Sequence, residues 1–121
     1  MAKAKNFVSI VMGSDSDTEI MKETSAVLAM FGVAHELRVA SAHRSPKFLE
    51  KCVRGAEKRG ASVFVAGAGA AAALPGAIAA LTARPVLGVP ISSSELKGLD
   101  ALLSIAQMPA NQGALMRQMA K

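Results

Sequence analysis

Phe7-Val-Ser-Ile-Val-Met12, running directly into Gly13-Ser-Asp-Ser-Asp17, decides how this chain reads. The first six residues are uncharged and mostly branched or apolar, the pattern of a parallel strand buried on both faces. Gly13 ends the run. Ser16-Asp-Thr-Glu19 then has the form of a capping box, with a hydroxyl at the helix start and a carboxylate three residues on. A strand that turns straight into a helix is the repeating unit of open α/β sheets, whose ligands bind at such turns.

Outward from this unit, the same grammar repeats. Ile20, Thr24, Val27, Leu28 and Phe31 fall on one helical face, and Gly32 follows as a helix end would require. Val33 to Val39 reads as a second strand. Ser41-Ala-His-Arg-Ser45 is the next turn, with Pro46 suited to the first helical position and Ser45 as its cap. Phe48, Leu49, Cys52, Val53 and Ala56 recur at helical spacing up to Gly60. Residues 61–66 read as a third strand, and 67–76 as a small-residue turn into a helix over 75–82. Residues 85–90 read as a fourth strand, 91–98 as a loop and 99–107 as a helix. Strands alternating with helices predict a single three-layer α/β/α domain over residues 1–121. Its sheet is parallel, flavodoxin-like or Rossmann-like, with right-handed crossovers.

Composition narrows the function. The chain has 121 residues, 51% of them hydrophobic, enough for one core. With four Phe and no Trp or Tyr, it lacks the stacking platforms of single-strand nucleic-acid binders. The net charge of +5 is spread out, with modest clusters at Lys3/Lys5 and Lys51/Arg54/Lys58/Arg59. These read as solvated faces and a preference for small anions rather than a nucleic-acid footprint. Cys52 is the only cysteine, which excludes an internal disulfide or a cysteine metal site. Its place on the apolar helix face predicts a buried, inert thiol. No membrane span or signal peptide is expected: the Ala/Gly-rich stretch 61–83 is interrupted by Pro75 and glycines. A cytoplasmic location is the simplest expectation.

The turns hold the chemistry. Gly13 permits a tight bend, Ser14 and Ser16 can donate to a phosphate, and Asp17 can accept from a ribose hydroxyl. Ser16 and Asp17 also serve as plain capping residues, and the two roles are compatible. In the second turn, Arg44 offers a permanent two-pronged charge for phosphate. His43 offers proton exchange near neutral pH. His35, inside a strand-like run, reads as structural. Ala66-Gly-Ala-Gly69 has no side chain for chemistry and suits close approach of a flat ligand. Neither a dinucleotide fingerprint, a Walker A loop, a serine-hydrolase elbow nor a metal-ligand spacing is present.

Six strings in one order carry a family resemblance: 12–17, 41–46, 66–69, Leu74-Pro-Gly76, Pro85-Val-Leu-Gly-Val-Pro90 and Leu99-Asp-Ala-Leu-Leu-Ser-Ile-Ala-Gln-Met-Pro109. Together they resemble the 5-(carboxyamino)imidazole ribonucleotide mutase (PurE) family of purine biosynthesis, over residues 7–109. The resemblance implies a carboxyl group moved from the exocyclic nitrogen of an aminoimidazole ribonucleotide to a ring carbon, with no cofactor and no metal. It implies His43 as the catalytic residue. Ser14, Asp17, Arg44 and Ser41 would bind the ribonucleotide, with Ala68 and Gly69 against its imidazole and carboxyl group. Arg44, where the related branch that uses free carbon dioxide tends to have lysine, looks like the mutase branch. The implied partners are the small-molecule substrate and further copies of the chain, an octamer in the family.

Two departures stand out. Family members usually read Gly-Gly-Ala-Ala-His before Leu-Pro-Gly, whereas this chain has Gly69-Ala-Ala-Ala-Ala73, with Ala70 for a glycine and Ala73 for the histidine. Residues 110–121 do not follow the family's usual strand and long C-terminal helix, so the fold is expected to be shortened there. These departures support a rival expectation, a ribonucleotide-binding homologue that does not turn over. A flavodoxin-like nucleotide binder fits the topology but not the scarcity of aromatics.

Overall fold

The computed structural model describes residues 6–69 and 73–91. Four parallel strands, β1 (Phe7–Met12), β2 (His35–Val39), β3 (Ala61–Gly69) and β4 (Val86–Ile91), form one sheet in the order β2-β1-β3-β4. Three helices connect them: α1 (Thr18–Met30), α2 (Pro46–Lys58) and α3 (Leu74–Ala79), with a 3-10 turn at Asp15–Asp17 before α1. The chain leaves β1 toward β2, then crosses back to β3 on the other side. The carboxyl ends of β1 and β3 therefore flank the point where strand order reverses, the place where open α/β sheets form a crevice.

Each face of the sheet has its own core. Phe7, Val11, Phe64, Ala66 and Ala68 pack against Leu49, Val53 and Ala56 of α2 and Leu74 and Ile78 of α3. Ile10, Met12, Val65 and Ile91 pack against Met21 and Leu28 of α1. The result is the expected three-layer α/β/α arrangement. The alternation follows from the two-residue period of a strand. Phe64, with no exposed surface, is worth roughly 2–3 kcal/mol of burial. Between Phe7 and Val8 the register against β3 shifts by one residue, a bulge at Ser62.

Local chemistry set the element ends well. β1 spans 7–12 as expected, and Pro46 is the first residue of α2. Gly32, at φ 69°, closes α1. Its N–H donates to the Ala29 carbonyl (3.1 Å) and that of Val33 to Leu28 (2.8 Å), a Schellman motif. That use of Val33 is why β2 begins at His35 rather than 33.

Several expectations are corrected. The capping box does not form: a 3-10 turn capped by Ser14 precedes α1, and Ser16 sits inside it. On α1 the inward residues are Met21 and Leu28, while Ile20 (42% exposed), Val27 (50%) and Phe31 (74%) face outward. Leu28 of the expected face does pack on the sheet, but its partner there is Met21, one residue along from the expected Ile20. On α2, Phe48 is half exposed and Cys52 only partly buried beside the core. Ser45 makes no capping hydrogen bond. β3 continues through Ala66–Gly69 instead of turning there, because these small residues pair with Gly88–Ile91 of β4. The last two elements sit within a residue or so of their predicted starts: α3 begins at Leu74 and ends at Ala79, and β4 covers 86–91. The predicted helix 99–107 and the tail 110–121 lie outside the described residues.

His35 is structural. Its Nδ1–H donates to the Val33 carbonyl (2.8 Å), and its Nε2 is hydrogen-bonded with the Ser25 hydroxyl (2.7 Å), joining β2 to α1. No helix among the described residues is long and apolar enough to cross a membrane.

Candidate active site

Parallel pairing brings the turns to one edge. Met12 is level with Val39 on β2 and with Gly67 on β3, so the segments that follow β1, β2 and β3 emerge side by side. Between them lies a cleft of two adjoining lobes, and Gly13, Ser14 and Ser41 border both.

The first lobe, about 250 Å³, is bordered by Asp17, His43, Ala68, Gly69 and Ala73. The second, about 270 Å³, is bordered by Asp15, Arg44, Ser45 and Phe48. All seven residues singled out in the sequence thus meet at one cleft. His43 and Arg44, although adjacent in the chain, border different lobes. One lobe therefore has an imidazole and a bare Gly/Ala wall, while the other has a guanidinium. Asp15 and Phe48 were not anticipated as site residues. Asp15 lies in the turn already singled out, but Phe48 read as core from its helical spacing, and only the packing of α2 turns its ring to the cleft.

The turns are held by their own hydroxyls. Ser14 Oγ accepts the Ser16 N–H (3.3 Å) and lies 3.0 Å from Ser16 Oγ. Ser41 Oγ accepts the N–H groups of His43 (3.2 Å) and Arg44 (3.0 Å). These bonds replace the caps that Ser16 and Ser45 do not make. Burial pushes the Asp17 carboxyl above its ordinary range, and the Ser14 backbone N–H pulls the other way. Ala68 is buried and Gly69 partly so, while His43 and Arg44 stand exposed at the opening. Among the described residues no group of three or more His, Cys, Asp or Glu side chains is placed to hold a metal ion.

The arrangement suits an anion held by a guanidinium and hydroxyls, next to a proton-exchanging group over a surface without side-chain functions. The chain is similar to known proteins over most of its length. A family model described as AIR carboxylase matches residues 7–118, extending beyond the last string of resemblance at Pro109. A protein of Pyrococcus abyssi named N5-carboxyaminoimidazole ribonucleotide mutase is 59% identical over 102 residues, 84% of this chain and 59% of its own length. One of the same name from Pyrococcus horikoshii is 54% identical over 110 residues, 91% of this chain and 62% of its own length. The crystal structure of Treponema denticola PurE superposes with a TM-score of 0.80 at 26% identity, covering 88% of this chain and 67% of that one. This chain spans about three fifths of the length of these two curated relatives. With its strand order, its two-lobed cleft and a family match over nearly its whole length, the chain belongs to the AIR carboxylase family.

Proposed function

We propose that the chain acts as an N5-carboxyaminoimidazole ribonucleotide mutase, an isomerase that gives carboxyaminoimidazole ribonucleotide in purine biosynthesis. The observation that carries this reading is the division of the cleft, with His43 in one lobe and Arg44 in the other. A ribonucleotide has the same division: a phosphate at one end and a reacting ring at the other. Arg44 and Ser14 take the phosphate by charge-assisted hydrogen bonds. Asp17, ionised, accepts from the ribose hydroxyls. The imidazole ring lies along Ala68 and Gly69, where no side chain intervenes.

One proton moves during the reaction. The His43 imidazolium gives its proton to the exocyclic nitrogen as the nitrogen–carboxyl bond breaks and carbon dioxide forms. The ring carbon attacks that carbon dioxide, making the new carbon–carbon bond. His43, now neutral, removes the proton from the same ring carbon and is restored. Ala68 and Gly69 give the carbon dioxide a wall without a side-chain group that could react with it. No cofactor enters this sequence of steps.

A second reading, a ribonucleotide-binding homologue without turnover, is favoured by Ala73. This residue borders the His43 lobe at the position where the resembling family has histidine. Conversion of the ribonucleotide by the chain, beside a His43→Asn variant, separates the two. Conversion by the parent and not by the variant supports the mutase. Binding without conversion by the parent overturns it. The reading includes a cytoplasmic location and a homo-oligomer, the octamer of the resembling family. The outward apolar residues Val27, Met30 and Phe31 of α1 and its end support association, and native mass measurement tests it.

A further inference from the structure

We propose that Ser41 is a positioning residue, which holds His43 in one lobe in register with Arg44 in the other. This rests on the reading of the cleft given above and changes the role expected for Ser41, from substrate contact to organiser of the turn.

The hydroxyl of Ser41 is bonded to the backbone of both residues, accepting the N–H of His43 at 3.2 Å and that of Arg44 at 3.0 Å. Its carbonyl accepts the Ser45 N–H at 3.1 Å. Three of the four residues after Ser41 therefore hang from it. Ser41 is itself anchored: the preceding Ala40 is buried and donates its N–H to the Met12 carbonyl (2.9 Å), at the end of β1. Restraint passes from the sheet edge through Ala40 and Ser41 to both functional side chains. Nothing else on α2 takes over, because Ser45 makes no side-chain cap. A serine hydroxyl has two acceptor sites and one proton. Two backbone donors fill the acceptor sites, so toward the cleft Ser41 can only donate.

Removing the hydroxyl frees two N–H groups in a turn whose residues His43 and Arg44 are exposed. Water satisfies them, so the fold survives while the turn loosens. Both side chains then lose their setting together, although they border separate lobes.

The test compares the parent chain with Ser41→Ala, Ser41→Thr, His43→Asn and the Ser41→Ala/His43→Asn double variant. Three quantities are read: amide hydrogen exchange of His43 and Arg44 without ligand, binding of ribose 5-phosphate, and kcat for the ribonucleotide. Ser41→Ala is expected to speed exchange at both amides and weaken ribose 5-phosphate by about tenfold, the loss of roughly one charge-assisted bond. It is expected to lower kcat by about 10²-fold through misplacement. Ser41→Thr, which keeps the oxygen, restores all three to within about threefold of the parent. In the His43→Asn background, Ser41→Ala still weakens ribose 5-phosphate but lowers kcat little further, since coupled groups are not additive.

Unchanged amide exchange and sugar-phosphate binding in Ser41→Ala, with only KM raised, would reduce Ser41 to a substrate donor and overturn the proposal. So would a folded threonine variant that restores nothing, or an alanine variant that does not fold. A parent chain without turnover overturns the mutase reading alone, and the exchange and sugar-phosphate measurements still decide the role of Ser41.

Discussion

Arg59, just past the end of α2, grips Glu36 on β2 through two parallel hydrogen bonds, Nη1–Oε1 at 2.9 Å and Nη2–Oε2 at 3.2 Å. The same carboxylate accepts the hydroxyl of buried Ser9 (2.9 Å), and the Arg59 guanidinium stands 5.2 Å over the Phe7 ring. Burial acts most strongly on Glu36 and pushes its pKa up. The hydrogen bonds from Arg59 and Ser9 and the charges of Arg59 and Arg38 together outweigh it, so the net shift is downward. A carboxylate with a lowered folded pKa stabilises the fold above its unfolded pKa and loses that contribution as pH falls through the folded value. Glu36→Gln keeps an acceptor for Ser9 but removes the charge and one of the two Arg59 hydrogen bonds, because its amide nitrogen donates. It should cost about 1 kcal/mol at pH 7, a modest figure because Arg59 is half exposed. Urea unfolding should show the gap between parent and variant closing as pH falls below the ordinary glutamate range.

Gly67 on β3 faces the α1 side of the sheet, where a Cβ would stand 2.9 Å from Met21 Cε and 3.1 Å from Ile91 Cδ1. Met21 has no exposed surface, so its end has nowhere free to move. Gly67→Ala should therefore destabilise by about 1–3 kcal/mol, the usual cost of overpacking. In a Met21→Ala background, where the obstructing atoms are gone, the same change should cost clearly less. Equal costs in both backgrounds, read from denaturant midpoints, would contradict the packing argument.

His43→Asn removes the proton carrier and leaves the anion lobe intact. It should lower kcat by about 10²–10⁴-fold with little change in ribose 5-phosphate affinity. Arg44→Ala should do the reverse, weakening ribose 5-phosphate by about 10–100-fold, the equivalent of one or two charge-assisted bonds. Steady-state kinetics and calorimetry check the split, and identical profiles for the two variants would contradict a two-lobed division of work.

Ala73→His tests the departure from the family pattern. Residue 73 is exposed, adopts an ordinary helical conformation (φ −82°, ψ −17°) and borders the His43 lobe. A histidine fits there without strain and should raise kcat by about tenfold or more, the lower reach of acid–base assistance. No gain in turnover would mean that alanine at this position does not limit the reaction.

What could be read locally came out well. β1, the proline at the start of α2 and the glycine ends of α1 and α2 depend on residues a few positions apart, and they stand where expected. That Ser14, Asp17, Ser41, His43 and Arg44 would border one cleft was legible for the same reason, because they belong to two short turns that follow neighbouring strands. The inward stripe of α1 was legible only in part, at Leu28, because the helix has apolar residues on two neighbouring stripes. Propensity cannot choose between Met21 and Ile20. Phe48 was misread as core because helical spacing shows a face but not what the face meets.

By itself the sequence determined the alternation of strands and helices, the parallel sheet and the residues with chemistry. All of these follow from backbone preferences and side-chain types over short range. Only the tertiary structure decided that the sheet runs β2-β1-β3-β4, that β3 continues to Gly69, and that His43 and Arg44 border different lobes joined at Ser41. Those facts depend on pairing and packing between segments far apart in the chain. There the burial of whole faces outweighs what any one segment prefers.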